Sequence, residues 1–146
     1  MSTRLIVEPA ATLDMINNAN STYPNECCGF IYGSTFNDLT FIVKSRAVYN
    51  ASNFDKRRHF NISSKDYMAA EEFAFQTNLI LLGVYHSHPN QPAIPSYEDK
   101  LFAIQNFLYI IISVSPAGTS DVKCWELNKH NNFLEQPINI STMEMV

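Results

Sequence analysis

The sequence has few cysteines and no excess of positive charge, and these shortages exclude several classes of protein. Three of its 146 residues are cysteine, and two of them are adjacent at Cys27 and Cys28. Because the number of cysteines is odd and two of them are adjacent, the sequence indicates no disulfide framework, and a reducing compartment fits best. Ten basic residues against 14 acidic ones give a formal net charge of −4, which argues against a nucleic-acid-binding surface. We therefore expect a cytoplasmic protein that binds no nucleic acid.

Long apolar segments are also missing. The longest apolar runs, near residues 79–85 and 107–114, are far too short to span a bilayer. The first eight residues lack the apolar stretch and cleavage site of a secretory signal, so no membrane association is expected. Apolar content is nevertheless substantial, at 46% of the residues, which is enough for a hydrophobic core. The length suits one domain over residues 1–146.

Periodic apolar segments predict helices interleaved with strands. The polar stretch 50–61 and the proline-rich stretch 88–95 are expected to be irregular. The apolar face of the second helix is assigned to Ala69, Ala70, Phe73, Ala74 and Thr77. The predicted strands cover residues 4–7, 27–33, 40–49, 79–86, 107–114 and 122–127, with one more after Asn128, and the helices cover residues 9–21, 63–77 and 96–106. This alternation indicates an α/β (α+β) fold, with a mixed sheet flanked by helices.

The most informative segment is His86-Ser87-His88-Pro89, which follows a buried apolar strand. Residues two apart on an extended strand point the same way, so both imidazoles can face one point. Asp99 lies in the first turn of the next predicted helix and can supply a third ligand once the proline-rich loop has turned the chain back. Two histidines and one carboxylate leave an open coordination position, as expected for a catalytic Zn²⁺.

Each part of this pattern also has an ordinary structural explanation. A His-x-His pair at a strand end is weak evidence of a metal, and Ser96-x-x-Asp99 has the spacing of a helix-capping box. Ser63-x-x-Asp66 has the same spacing with no histidine nearby, so the serine–aspartate pair alone proves nothing. The joint placement after a buried strand favours a metal. The residues by themselves leave a metal site and a purely structural arrangement about equally open.

The same four residues also carry a family resemblance. His86-x-His88, followed after seven residues by Ser96 and after two more by Asp99, resembles the signature of the JAMM (MPN+) metalloprotease family at every position and at the same spacing. The match of four residue types at three fixed intervals makes this motif highly specific.

Two further stretches support the resemblance. Residues 23–30, which include Glu26, are similar to the region of the upstream glutamate in compact prokaryotic members of the family. The order of the predicted elements agrees from about residue 4 to residue 127. The resemblance therefore implies an MPN (cytidine-deaminase-like) fold for nearly the whole chain.

A role for each matched residue is implied as well. His86, His88 and Asp99 would be the zinc ligands. Glu26 would be the general acid/base that takes a proton from the water on the metal and passes it to the leaving amine. Ser96 would hydrogen-bond the oxyanion of the tetrahedral intermediate.

The neighbours of these residues have secondary predictions. Ser87 should point away from the metal, and Glu98 should face solvent. Cys27 and Cys28 are expected to be small buried side chains and not ligands or nucleophiles. The basic cluster at residues 56–59 is expected to be a solvated loop. Two histidines, His59 and His130, are assigned to the surface or to loops. Three further residues are hypotheses for the substrate groove: Arg57, Arg58 and Tyr97.

The implied reaction is hydrolysis of a peptide or isopeptide bond. Family members commonly cut after the C-terminal Gly-Gly of a ubiquitin-like protein, and compact prokaryotic members resemble enzymes that process ubiquitin-fold sulfur-carrier proteins. The chain is too short for the insertions of eukaryotic deubiquitinating members, so we expect the compact type, of bacterial or archaeal source. The substrate tail would bind extended, and one mode open to it is addition as a strand to a sheet edge. Oligomeric state is not indicated.

Three other functions are alternatives to hydrolysis. The first is a non-catalytic scaffold of the same fold, against which the presence of all five key residues argues. The second is a nucleoside deaminase, which needs a His-x-Glu and a Pro-Cys-x-x-Cys, and neither occurs. The third is a structural zinc module, which would need a fourth ligand such as Cys27 or Cys28.

Overall fold

The computed structural model describes residues 4–140 and contains three helices and eight strands in that range. In chain order they are β1 (Arg4–Val7), α1 (Pro9–Thr22), β2 (Cys28–Phe36), β3 (Leu39–Val48), α2 (Ser64–Thr77), β4 (Ile80–Pro89), α3 (Tyr97–Phe102), β5 (Leu108–Ser115), β6 (Gly118–Leu127), β7 (Phe133–Gln136) and β8 (Ile138–Ile140). The strands form one sheet in the order β7-β6-β5-β4-β2-β3-β1-β8. The predicted mixed sheet flanked by helices is confirmed.

Strand β4 occupies the middle of the sheet and is paired on both sides. It runs antiparallel to β2, where His86 lies opposite Cys28, and parallel to β5, where His86 lies opposite Ile111. Residues 83–89 are all buried, as expected of a strand that is covered on both faces. The end of β4 is therefore a rigid place from which to present side chains.

Each face of the sheet has its own apolar cluster. One cluster includes Met15 and Ala19 of α1 with Ile110 and Ile112 of β5. The other includes Ala70 of α2 with strand residues such as Phe30 and Tyr32. Pro9 stands at the first position of α1, where its missing N–H is not needed. None of the three helices in residues 4–140 has the length and apolar character that a membrane crossing needs.

The boundaries of several elements differ from the sequence prediction. Helix α3 ends at Phe102 and not near Asn106, because Ala103 is extended and the N–H of Ile104 donates to the Tyr109 hydroxyl at 2.7 Å. Strand β4 continues to Pro89, beyond the predicted end at His86.

The apolar face predicted for α2 is partly wrong. Ala69 and Thr77 are exposed, and Tyr67 packs against the sheet with Ala70, Phe73 and Ala74. The predicted face therefore included two exposed residues and missed the aromatic residue one turn before Ala70.

Between residues 128 and 140 the structure contains two strands, where the sequence predicts one after Asn128. Only Pro137 separates β7 from β8, yet these strands lie at opposite ends of the strand order. The sheet must therefore curl until one short segment reaches both of its edges. Proline has no N–H to give to a strand ladder, so it suits the point where pairing changes from β6 to β1.

Candidate metal centre

Two imidazoles meet at the end of β4. His86 and His88 are 1% and 6% exposed, and their ring centroids are 5.0 Å apart. Both Nε2 atoms face the carboxylate of Asp99, at 3.6 Å for His86 and 3.0 Å for His88. The expectation that alternate residues of one strand face the same point is confirmed.

Asp99 reaches the histidines because the capping box of α3 holds it there. The Ser96 hydroxyl oxygen accepts the N–H of Asp99 at 3.1 Å, and the N–H of Ser96 donates to Asp99 Oδ2 at 2.9 Å. The capping box itself therefore holds Asp99 toward the histidines, so capping and ligation are compatible explanations of Ser96-x-x-Asp99. Ser63 caps α2 through the N–H of Asp66 in the same way, but in that case no histidine is adjacent. One potential ligand atom each from His86, His88 and Asp99 lie within 4.8 Å of one another.

The loop between β4 and α3 is fastened to the neighbouring strands. The N–H of Asn90 donates to Val114 O at 2.7 Å. The Ser113 hydroxyl donates to Gln91 O at 2.6 Å, and the Trp125 indole N–H donates to Ala93 O at 3.0 Å. These bonds limit the freedom of the segment that carries Asp99 back to the histidines.

The donor atoms fit a divalent cation. His88 Nδ1 lies 2.9 Å from Pro92 O, a contact that places the ring proton on Nδ1 of the neutral imidazole. Its Nε2 lone pair then faces Asp99 Oδ2, so two acceptors point at each other and a positive charge between them is needed. His86 Nδ1 and Glu26 Oε1 are buried without a hydrogen-bond partner in the described part of the chain. Two imidazoles and a carboxylate are ligands that suit zinc.

The charges around this point shift the pKa values of His86 and Asp99. Burial lowers the pKa of His86, but the carboxylates of Asp99 and Glu26 raise it, and the net result is a pKa above the usual value. Burial raises the pKa of Asp99, but the two histidines and the Ser96 N–H lower it well below the usual range. The site therefore favours a cation within it, whether a proton or a metal.

Glu26 lies beside the centre, in the short segment between α1 and β2. It is 5% exposed, and its Oε1 lies 3.6 Å from His86 Nδ1. Its backbone N–H donates to Lys56 O at 2.7 Å, and its carbonyl accepts from the Asn50 side chain at 3.2 Å. The loop 50–61 thus holds the backbone of Glu26 on both sides.

Sequence reasoning missed two residues of this arrangement. The Asn50 side chain also donates to His59 O and accepts the N–H groups of Ser52 and Asn61, so it organises the whole loop. Phe60 stacks on the His86 ring, with centroids 4.4 Å apart and planes inclined by 24°. Nothing in the sequence around Asn50 or Phe60 marks them, since both act across long separations in the chain.

A cavity of about 620 Å³ opens beside the centre. Of the three groove hypotheses, Arg58 lines it, whereas Arg57 and Tyr97 are not among the lining residues. His59 lines it too and is half-buried, and Glu98 lines it while facing solvent as predicted. The lining residues are Ser52, Asn53, Phe54, Arg58, His59, Phe60, Asn61, Ile62, Tyr67, His86, Glu98, Asp99, Phe102, Ala103, Ile104 and Tyr109.

Ser87 points away from Asp99 and the cysteines are buried, as predicted. Ser87 is fully buried, and its hydroxyl oxygen accepts the N–H of Cys27 at 2.8 Å, on the side away from Asp99. Cys27, Cys28 and Cys124 are free and buried. Burial raises the pKa of Cys27 to about 11 and that of Cys28 to about 12. Within residues 4–140 no cysteine joins the group of candidate ligands, which is the finding against a closed structural zinc module.

The fold and the site together define a JAB-type domain. The chain belongs to the family of prokaryotic homologs of the JAB domain, whose profile matches residues 9–128. The resemblance seen in the sequence is confirmed at this level.

Individual relatives agree with this family. A protein named desampylase, from Pyrococcus furiosus, is 29% identical over 133 residues, which are 91% of this chain and 89% of that protein. Tail tip assembly protein K of Escherichia phage N15 is 30% identical over 90 residues, which are 61% of this chain and 32% of that protein.

Two solved structures are also similar. A solution structure of a protein from Desulfitobacterium hafniense has a TM-score of 0.81 and 26% identity, covering 93% of this chain and 92% of that one. A solution structure of a protein from Salinibacter ruber has a TM-score of 0.68 and 30% identity, covering 94% of this chain and 90% of that one.

Proposed function

We propose that this protein is a zinc-dependent hydrolase of a peptide or isopeptide bond, with His86, His88 and Asp99 as the zinc ligands. The observation that carries the proposal is the convergence of these three donors within 4.8 Å beside an open cavity. Three protein ligands and a free position are typical of catalytic zinc. Membership of the JAB family and the likeness to a relative that bears the name of an enzyme support it.

Glu26 is the proton carrier of the proposed reaction. A bound zinc would activate the attacking water and polarise the carbonyl of the substrate. The buried Oε1 of Glu26 accepts no hydrogen bond within residues 4–140, so it would be free to accept a proton from the attacking water. The carbonyl carbon gains a hydroxyl, the C–N bond breaks, and Glu26 returns the proton to the leaving nitrogen.

Ser96 stabilises the charge that develops on the carbonyl oxygen. Its hydroxyl oxygen already accepts the N–H of Asp99, so its hydroxyl hydrogen remains available as a donor beside the ligands. A donor aimed at the oxyanion stabilises the transition state more than the ground state.

The proposed substrate is the extended C-terminal tail of a ubiquitin-like or sulfur-carrier protein, cut after Gly-Gly. Both edges of β4 are already paired, so the tail cannot join β4 as a strand. It would instead reach the centre through the cavity between the loop 50–61 and α3. Glycine residues suit a close approach to a metal at the floor of such a cavity.

The decisive experiment compares the unsubstituted protein with Glu26→Gln. Both are incubated with a ubiquitin-fold sulfur carrier extended beyond Gly-Gly, with and without a chelator, and the products are weighed by mass spectrometry. We expect cleavage after Gly-Gly that the chelator abolishes. Glu26→Gln should keep one zinc per chain and slow cleavage by about 10²–10⁴-fold, the usual contribution of a general acid/base.

The matched control is Glu135→Gln, the same chemical change at an exposed position in β7. It should cleave at the rate of the unsubstituted protein. If the unsubstituted protein binds zinc but cleaves no amide, the proposal is wrong and a non-catalytic scaffold becomes the better explanation.

A further inference from the structure

The basic cluster of the loop 50–61 contains three cations, and two of them are already engaged. Lys56 Nζ donates to the Tyr49 hydroxyl at 3.0 Å and lies over its ring. Arg57 donates through Nε and Nη2 to the carboxylate of Asp55, each at 3.0 Å. Neither Lys56 nor Arg57 lines the cavity beside the metal centre.

Arg58 differs from both neighbours. It is an exposed residue and is among the residues that line the cavity together with His86 and Asp99. The carboxylate of Asp55 is occupied by Arg57, and no other carboxylate in residues 4–140 lies within ion-pair distance of the Arg58 side chain. Arg58 therefore adds a positive charge to the rim of the cavity without a direct ion pair, although the carboxylate of Asp55 is near enough to feel that charge.

Hydrogen bonds within the loop fix the backbone of Arg58 beside the cavity. The N–H groups of Arg58 and His59 both donate to Asp55 O at 3.0 Å, and His59 O accepts from the Asn50 side chain at 3.0 Å. The α3 wall of the same cavity carries Glu98, which repels an anion. A negatively charged group of the substrate is thus attracted to the loop wall and not to the α3 wall.

We propose that Arg58 forms a subsite for the α-carboxylate of the residue that is released on the amine side of the cleaved bond. This inference rests on the proposed function. A cavity of about 620 Å³ is on the order of 10 Å across, a size in the ordinary range for small-ligand sites, so a positive charge at its rim acts on substrate groups close to the cleaved bond. The α-carboxylate of a terminal residue is two bonds from the amide nitrogen. A lysine isopeptide bond, or a longer leaving peptide, has no such group.

The subsite makes the protein selective for removal of a single terminal residue. A guanidinium binds a carboxylate through two parallel N–H bonds, and these charge-assisted bonds are stronger than neutral ones. We expect a carrier that ends in Gly-Gly-Ala to be cleaved with a kcat/KM about tenfold higher than the same carrier ending in Gly-Gly-alaninamide, an advantage typical of one such interaction.

Three variants test the assignment on these two substrates. Arg58→Ala should bring the ratio close to one by slowing cleavage of the acid only, and Arg58→Lys should give an intermediate ratio because an ammonium keeps the charge but loses the fork. Arg57→Ala is the matched control and should keep the full ratio. A ratio near one in the unsubstituted protein, or a ratio that survives Arg58→Ala, would overturn the inference.

Two further arms separate the remaining explanations. A carrier ending in Gly-Gly-Glu-amide offers a side-chain carboxylate alone, and its cleavage as fast as the Gly-Gly-Ala acid would overturn the assignment to the α-carboxylate. Binding of the acid and the amide to the zinc-loaded Glu26→Gln variant is measured by calorimetry. Tighter binding of the acid than of the amide, lost when Arg58→Ala is added, supports the subsite. This holds even if the unsubstituted protein cleaves no substrate, in which case the proposed reaction is wrong and the subsite is not.

Discussion

Ser87 lies between the two histidines and faces the opposite way, where its hydroxyl accepts the N–H of Cys27 at 2.8 Å. Replacement by alanine would leave that buried N–H without a partner, at a cost of about 1–3 kcal/mol. Because Cys27 follows Glu26 in the chain, we also expect slower hydrolysis. Urea unfolding of the zinc-free protein measures the first effect, and the rate at saturating substrate measures the second.

The control for this change is Ser34→Ala, at an exposed position of β2. Surface substitutions of this kind stay within about 0.5 kcal/mol of the starting protein. Equal unfolding midpoints for the Ser87 and Ser34 variants would show that the hydrogen bond to Cys27 contributes nothing to stability.

The raised pKa of His86 predicts how the stability of the zinc-free protein depends on pH. A histidine whose pKa is higher in the folded state than in the unfolded state, where it is about 6.5, stabilises the fold most below that value and loses this contribution as pH rises through the folded pKa. Asp99, with a lowered pKa, contributes fully above pH of about 4 and adds no slope in this range. The chelated protein should therefore melt at a lower temperature at pH 8 than at pH 6.

His86→Asn removes the group responsible for this slope. The chelated variant should show a flatter dependence of melting temperature on pH between 6 and 8. An unchanged slope would mean that another group dominates the titration.

At the residue scale, the sequence predicts contacts that are local and misses those that are not. His86 and His88 share a direction because alternation along a strand is a local rule, and Asp99 is placed by a four-residue capping box. The hydrogen bond from Asn50 to Glu26 O and the stacking of Phe60 on His86 join residues 24 and 26 positions apart. No local pattern carries such information.

The loop between β4 and α3 is the element on which the third ligand depends. Trp125 is the only tryptophan, and its indole N–H holds the loop at Ala93 O. Trp125→Phe removes this bond and should cost about 1 kcal/mol of stability. We expect zinc affinity to fall by about tenfold, as found for outer partners of metal ligands. Competition with a zinc-binding dye measures this affinity.

A second variant on the same strand tests whether the effect is specific to the loop. Thr119→Val removes a hydrogen bond from the Thr119 hydroxyl of β6 to the exposed side chain of Asn20. It should leave zinc affinity unchanged. A similar loss of affinity in both variants would point to a general weakening of β6.

Elements were predicted well where periodicity is strong and less well where tertiary contacts set their ends. The long apolar strands β4 and β5 follow from composition and length. The early end of α3 depends on the Tyr109 hydroxyl, which takes the N–H of Ile104. The division of the tail into β7 and β8 depends on two sheet edges that come together only in the folded chain.

Zinc should stabilise the whole molecule, because its ligands join two elements that are otherwise connected by an irregular loop. His86 and His88 belong to β4 and Asp99 to α3, so the unfolded chain offers no assembled site. A ligand that binds only the folded state adds about 2.7 kcal/mol when its free concentration is 100 times Kd. For a chain of this length, about 2–4 °C per kcal/mol gives a rise of roughly 5–10 °C in Tm between chelated and zinc-loaded protein.

Asp99→Asn should abolish most of this rise, whereas Glu26→Gln should keep it, since Glu26 is proposed to move protons and not to hold the metal. A zinc-induced rise that survives in Asp99→Asn would place the ion elsewhere and remove the basis of the proposed centre.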